Sequence, residues 1–328
     1  MQIGCMKQSD REVIVYSALD REFSEPVLKE LSEELGLDIR PKFDLESNKS
    51  VGLANEIIQK KNRPPADIFW NNEILHTFRL QQAGMLEIYT SPQADRFPEK
   101  FQSATGHWHG FAARSRVLIV NTNRLPDADA RPDSIYDLAD PKWKGQCAIA
   151  RPVFGTTATH AAVLLATVDD GKSLLNKIFD NAVMVGGNKQ VAQKVASGEF
   201  AFGITDTDDA MIELDKAQPV AMIFPDQGAD QMGTLVIPNT LAIIKNGPNT
   251  QRAKQLVDRL LQADIEIRLA KGASAQLPLA NDIDQPWRVF KHSSLVTRKD
   301  ELRWMRVDFA KAAESWDAQK EFLANLGK

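Results

Sequence analysis

Val13-Ile14-Val15-Tyr16, then Ser17-Ala18-Leu19-Asp20, then Arg21-Glu22-Phe23-Ser24-Glu25-Pro26-Val27-Leu28 with Leu31 and Leu35 beyond, reads as strand, polar turn and helix. The first four residues are a β-type apolar run. Ser24 is placed to cap a helix with Pro26 in its first turn, and Val27, Leu28, Leu31 and Leu35 fall on one face. Gly36 ends it. The unit then repeats. Leu37-Asp38-Ile39-Arg40 is a second strand, and Val51, Ala54, Ile57 and Ile58 mark an amphipathic helix. Asp67-Ile68-Phe69-Trp70 is a third strand, with Asn71 and Asn72 as caps for a helix through Ile74, Leu75 and Leu80. Strands alternating with helices predict βαβ units, a largely parallel sheet and an α/β fold.

Working outward, residues 114–121 (RSRVLIVN) form a β-rich run suited to crossing between two lobes. A second α/β lobe follows. Cys147-Ala148-Ile149-Ala150 is a buried strand, and Pro152 to Thr157 leads into a helix. A helix over 188–197 and the strand Ala201-Phe202-Gly203-Ile204 precede Thr205-Asp206-Thr207-Asp208-Asp209. Leu241-Ala242-Ile243-Ile244 is a further strand, with an amphipathic helix near Ala253–Leu261. The last eighty residues read as helical, with Trp287, Trp304 and Phe309 as packing anchors.

The chain has 328 residues, enough for two domains, with 26% charged and 43% hydrophobic residues. That composition is ordinary for a globular protein and excludes disordered and collagenous classes. Forty-four acidic against forty basic residues leave a net charge of −4 without a basic block, which argues against nucleic-acid binding. No apolar run approaches the roughly 18 residues of a membrane span. Cys5 and Cys147 exclude a disulfide framework and a cysteine-rich metal site. Gly4-Cys5 before a polar stretch matches the end of a bacterial lipobox, so Cys5 is a candidate lipid anchor and residues 1–11 a tether.

In open α/β sheets, ligands bind beyond the carboxyl ends of strands. Four such loops carry polar groups: Ser17 to Asp20, Asn71 to Glu73, Phe154 to Thr157, and Thr205 to Asp209. If they face one crevice, they gather Asp20, Glu73, Asp206 and Asp208. So much carboxylate cannot be buried unpaired, so the crevice is expected to take a cation. Gly155, Thr156 and Thr157 at a helix start offer an anion site. Arg114 and Arg116 share one strand face, one to read an anion and the other to lie on the surface. Trp70 is a candidate wall of the site. His107 and His109 read as incidental. Helix capping is the plain alternative for Asp20, Asp206, Asn71 and Asn72. Asp206-Thr207-Asp208 also matches the D-x-D of aspartate-nucleophile phosphatases. That motif normally opens its fold and needs a downstream lysine and acidic pair around magnesium, so an Asp-dependent phosphohydrolase ranks last.

The runs VIVYSALDREFSEPVLKELSEELGLDI, PADIFWNNEILHTFRLQQAGML, GFAARSRVLIVNT, DPKWKGQCAIARPVFGTTATHA, GNKQVAQKVASGEFAFGITDTDDA and GTLVIPNTLAIIKNGPN together resemble the ferric-ion-binding branch of ABC-transporter solute-binding proteins, over residues 12 to 290 or so. The resemblance implies a type II periplasmic-binding-protein fold: two α/β lobes, each a mixed sheet flanked by helices, hinged by crossing strands. Lobe 1 would take 12–115 plus about 238–290, and lobe 2 about 116–237 plus 291–328. It implies an extracytoplasmic or periplasmic carrier, a monomer, that delivers its ligand to an ABC permease and ATPase. The membrane would be met only through a lipid at Cys5. It implies no catalysis and no catalytic cofactor.

Position by position, the resemblance puts Asp20 where the family has a metal-binding histidine, and the family glutamate at Asn72 or Glu73. The anion falls at Phe154, Gly155 and Thr156, helped by Arg114 and Asn188. Two adjacent tyrosines of the family fall at Thr207 and Asp208, and Tyr16, Tyr89 and Tyr136 all lie elsewhere. The expected ligand set is therefore Asp20, Glu73, Asp206 and Asp208 for iron(III) or another oxophilic metal. Ser17, Trp70, Arg114, Gly155, Thr156, Thr157, Asn188, Thr205 and Thr207 complete the ligand and anion site. Relatives in the same superfamily carry phosphonates, sugar phosphates, thiamine or polyamines, which gives the alternative cargoes: an organophosphorus anion or an organic cation.

Overall fold

The computed structural model describes residues 10–44, 51–283, 287–293 and 296–327; Cys5 and most of the expected tether lie outside them. The chain begins β1 (Glu12–Ser17), α1 (Arg21–Leu35), β2 (Asp38–Phe43), α2 (Val51–Gln59), β3 (Ile68–Asn71) and α3 (Leu75–Gln82). The long β4 (His109–Asn121) leads to β5 (Cys147–Ala150), α4 (Gly155–Thr167), α5 (Gly171–Asn181), β6 (Val183–Val185) and α6 (Asn188–Ala196). Then come β7 (Phe202–Asp206), α7 (Thr207–Asp215), β8 (Val220–Ile223), β9 (Val236–Ile243), α8 (Thr250–Leu260), α9 (Ala263–Lys271) and α10 (Phe309–Asn325).

These strands form one mixed sheet in the order β2-β1-β3-β9-β4-β7-β5-β6, with β8 beside β4. The expected parallel pairing holds at the flanks, where β1 pairs with β2 and β3, and β5 with β6 and β7. The centre is antiparallel: β9 runs against β3 and β4, and β4 against β7 and β8. The reason lies in β4. Its residues from His109 to Ser115 pair with β9, and those from Arg116 onward with β7 and β8. All thirteen of its positions are buried, because one strand serves both halves of the sheet. A bulge interrupts it at Ala112, held at φ +33°. The buried Glu266 carboxylate accepts the Ala112 N–H at 2.6 Å, and the Asn239 amide of β9 donates to the Ala112 carbonyl.

Local boundaries depart from the sequence reading for identifiable reasons. The first helix starts at Asp20 rather than Ser24, which buries Phe23 with Val27, Leu28 and Leu31. Ser24 then lies inside the helix, its hydroxyl donating to the carbonyls of Leu19 and Asp20 at 3.1 Å each. Gly36 does close this helix, at φ +60° with its N–H bonded back to Glu33. The second strand continues through Pro41 to Phe43; it pairs only with β1, and a sheet edge tolerates the missing N–H. Among the described residues the C-terminal part is α-helical only in α8, α9 and α10, with a short 3-10 turn over Arg288–His292. Trp287 and Phe309 are buried there, and Trp304 packs on Phe101 with the Lys100 ammonium 4.0 Å from its ring centre. The last helix packs along α4 and also reaches α3, so it bridges helices from the first and second α/β stretches of the chain.

Candidate functional site

A cleft of about 530 Å³ opens beyond the carboxyl ends of β1, β5 and β7. Its walls carry residues from the starts of four helices: α1 at its cap Asp20 and at Arg21, Glu22 and Glu25, α4 at Gly155 to Thr157, α6 at Asn188 and Lys189, and α7 at Asp209. Helix N-termini present unpaired N–H groups and the positive end of the helix dipole, so four of them favour negative charge in the cleft. Gly155 opens α4 at φ +61°. The conformation is what calls for glycine there, since an added Cβ would meet nothing within 4 Å.

Beneath the cleft lies a buried polar network. Arg116 is fully buried, and its Nη1 donates to Asp206 Oδ1 at 2.7 Å and to Thr156 Oγ1 at 3.2 Å; Nη2 donates to Thr157 Oγ1 at 3.3 Å. Asp206 Oδ2 accepts the Thr156 hydroxyl at 2.5 Å and the Asn188 amide at 3.0 Å. That amide also donates to Thr156 Oγ1, and the Thr157 hydroxyl donates to Asn188 Oδ1 at 3.0 Å. Burial works against ionisation of Asp206, but Arg116 and Arg114 outweigh it and hold its pKa below the usual carboxylate value. Arg114 is 3% exposed and lines the cleft. Its guanidinium lies 3.1 Å from Asp208 and 3.8 Å from Asp206. Burial alone would lower its pKa; Asp208, Asp206, Asp20 and Asp209 together raise it.

Two of the carboxylates expected to call for an external cation, Asp206 and Asp208, find partial compensation within the chain. The compensation comes from two guanidinium groups of β4, and the expected surface position of one arginine is overturned by the burial of both. Because alternate positions of a strand share a face, Arg114 and Arg116 both turn toward the starts of α4 and α7. Sequence periodicity gave their common face but not that it was covered.

The structure brings together Ser17, Asp20, Arg114, Gly155, Thr156, Thr157, Asn188 and Asp206 on the cleft wall. Asp208 sits just behind, and oxygens of Asp206, Asp208 and Asp209 lie within 4.8 Å of one another. Of the two positions offered for the family glutamate, Asn72 lines the cleft. Glu73 is turned away: Oε1 accepts Asn71 Nδ2 and the His76 N–H, and Oε2 accepts the Leu75 N–H and the Thr159 hydroxyl. Asn71 and Asn72 are not the caps of α3; Glu73 does that work. Trp70 is buried against Phe111, ring centres 5.5 Å apart, and walls nothing. Thr205 ties the start of α6 through the Asn188 carbonyl at 3.0 Å, and the Thr207 hydroxyl accepts the Ser115 N–H at 3.2 Å. Neither reaches the cleft. His109 is held by Gln102 and the Tyr89 carbonyl, and His107 by Thr105. With both oxygens of Asp206 engaged, it is not poised as a phosphatase nucleophile. Asp44, Arg151, Lys189 and Asp209 also line the cleft; only the position of Asp209 after β7 hinted at this.

Residues 64–292 match the family described as bacterial extracellular solute-binding protein. The chain is 27% identical over 249 residues to Iron uptake protein A2 of Synechocystis, covering 69% of this chain and 70% of that protein. It is 23% identical over 274 residues to the Major ferric iron-binding protein of Neisseria meningitidis serogroup B, covering 82% and 81%. Its fold superposes on iron-bound HitA from Pseudomonas aeruginosa with a TM-score of 0.83 at 19% identity, over 97% of this chain and 99% of that one. A two-part α/β frame with the cleft at its strand ends, matched over most of the chain, makes this protein a member of the bacterial extracellular solute-binding protein family.

Proposed function

We propose that the chain is the periplasmic binding component of an ABC importer and captures ferric iron together with an anion. Two relatives of this chain are named for iron uptake and ferric iron binding. The observation that carries the reading is the pairing, in one cleft, of oxygen donors from both sides with four helix N-termini. Asp20 and Asn72 come from the β1–β3 side, Asp209 from the β7 side, and carboxylate and carbonyl oxygens suit a hard cation. The anion belongs at Gly155 to Thr157 beside Arg114. The Nε of that arginine has no hydrogen-bond partner among the described residues. With Thr207 and Asp208 in place of tyrosines, the metal shell is completed by carboxylates and the anion rather than by phenolates.

Residues 12–115 with about 238–290 form one lobe and about 116–237 with 291–328 the other, hinged at β4 and β9. The carrier works as a monomer and hands its cargo to a permease driven by an ATPase, with Cys5 as a lipid tether.

The test is metal content after chelator stripping, loading with ferric citrate or with ferric iron and bicarbonate, and desalting. The expected result is retained iron without a phenolate-to-iron charge-transfer band, and retention cut at least about tenfold in Asp209→Asn. At about 100 times its dissociation constant the cargo should add roughly 2.7 kcal/mol of stability. Loss of all iron with either anion, or stabilisation only by a phosphorylated sugar, would overturn the reading.

A further inference from the structure

Between β3 and α3 the backbone adopts a turn that side chains rarely allow. Ile74 is buried and β-branched, yet holds φ +64° and ψ −38°. The Leu75 N–H donates back to the Glu73 carbonyl at 2.9 Å. This is a γ-turn of the rarer, strained kind, which persists only where its surroundings over-determine it. The surroundings are the Glu73 carboxylate and its four donors. Three belong to the same turn: the Asn71 amide at 2.9 Å, the Leu75 N–H at 3.0 Å and the His76 N–H at 3.1 Å. The fourth is Thr159, one turn into α4 on the other lobe. Its hydroxyl lies 2.8 Å from the Glu73 carbonyl and 3.1 Å from Oε2. Both residues are buried, at 1% and 0% exposure. Asn72, which lines the cleft, is the residue immediately before Glu73.

We infer that Thr159 and Glu73 form a cross-lobe latch. The hydroxyl of α4 completes the cap on α3 and fixes the strained turn. It thereby keeps Asn72 directed at the cleft and the two lobes together. Neither residue lines the cleft, so both are positioning residues, and Glu73 acts here through its neighbour rather than on the cargo. From behind, the ring of His76 meets Trp316 of α10 edge-on, with centroids 5.3 Å apart. This braces the same turn against the helix that spans both lobes. The latch does not depend on which solute is carried, so its test needs none.

Thr159→Val keeps the shape and removes the hydroxyl; Thr159→Ser restores it. Ligand-free proteins would be compared by small-angle scattering and by hydrogen exchange at the Leu75 and His76 amides, after thermal melts establish folding. The expected outcome for Thr159→Val is a larger radius of gyration and about tenfold faster exchange at both amides. Thr159→Ser should reverse both. A folded Thr159→Val protein with unchanged scattering and exchange, even if its melting point falls, would reduce the contact to an ordinary buried hydrogen bond. Should Thr159→Val not fold, the wild type decides. Leu75 and His76 should exchange with the same opening free energy as the first turns of α4; distinct values would overturn the latch.

Discussion

Arg116 has no access to the cleft, yet the floor of the site depends on it. A buried ion pair contributes little net stability compared with an apolar replacement of the whole pair, but removing one partner strands the other. Arg116→Met should therefore cost about 3–5 kcal/mol in denaturant unfolding, and the loss should shrink at low pH. The direction follows from Asp206, whose folded pKa is depressed. Its contribution is present above the unfolded value near 3.9 and fades as pH falls through the folded one. A second group, a base, adds to the loss of stability at low pH. His160 is enclosed by Ile135, Leu138, Ile149 and Leu164; burial, aided by Arg116, pulls its pKa down to about 3. Between pH 6.5 and 3 the unfolded chain binds a proton here that the folded chain refuses, so stability drops as pH drops. At pH 5 that loss is about 2 kcal/mol, and His160→Leu should remove it from a titration of unfolding free energy. Arg116 was misread from sequence because its partner Asp206 is 90 positions away. A single chain does not reveal which strand face another element will cover.

Elements whose signal is local were legible. The Cys147–Ala150 run coincides with β5, and the 188–197 helix with α6 to one residue. Boundaries failed where a side chain does something other than its usual job. Glu73 caps α3 in place of the asparagines, and Ser24 bonds backward inside α1 rather than opening it. The start of α4 shows how an element end becomes a binding surface. Gly155 sits at positive φ so that the following N–H groups can face the cleft. Gly155→Ala should cost about 1 kcal/mol through the backbone alone. It should also weaken phosphate or bicarbonate binding measured by calorimetry, because the turn must rotate to relieve the strain. Unchanged anion affinity would mark the turn as a plain helix start.

For the whole molecule, the alternation of strands and helices sufficed to predict an α/β frame; that the four polar strand ends face one crevice was a condition in the sequence reading, and residues of all four do line the cleft. The antiparallel centre was not visible in periodicity, because β4 and β9 are buried at every position and their residues carry no mark of strand direction. Nor was the charge balance, which depends on one strand being buried along its full length. That last feature has a consequence for how such a carrier can change over time. The strand that joins the two halves also carries Arg114 and Arg116, so the electrostatic floor and the seam between the halves of the sheet occupy the same strand. A lineage that altered those arginines to suit a new solute would disturb the folding of both halves at once. Diversification of cargo is thereby steered to the rim, to positions such as Asp44 and Lys189, where a charge can be exchanged without disturbing the arginines of β4.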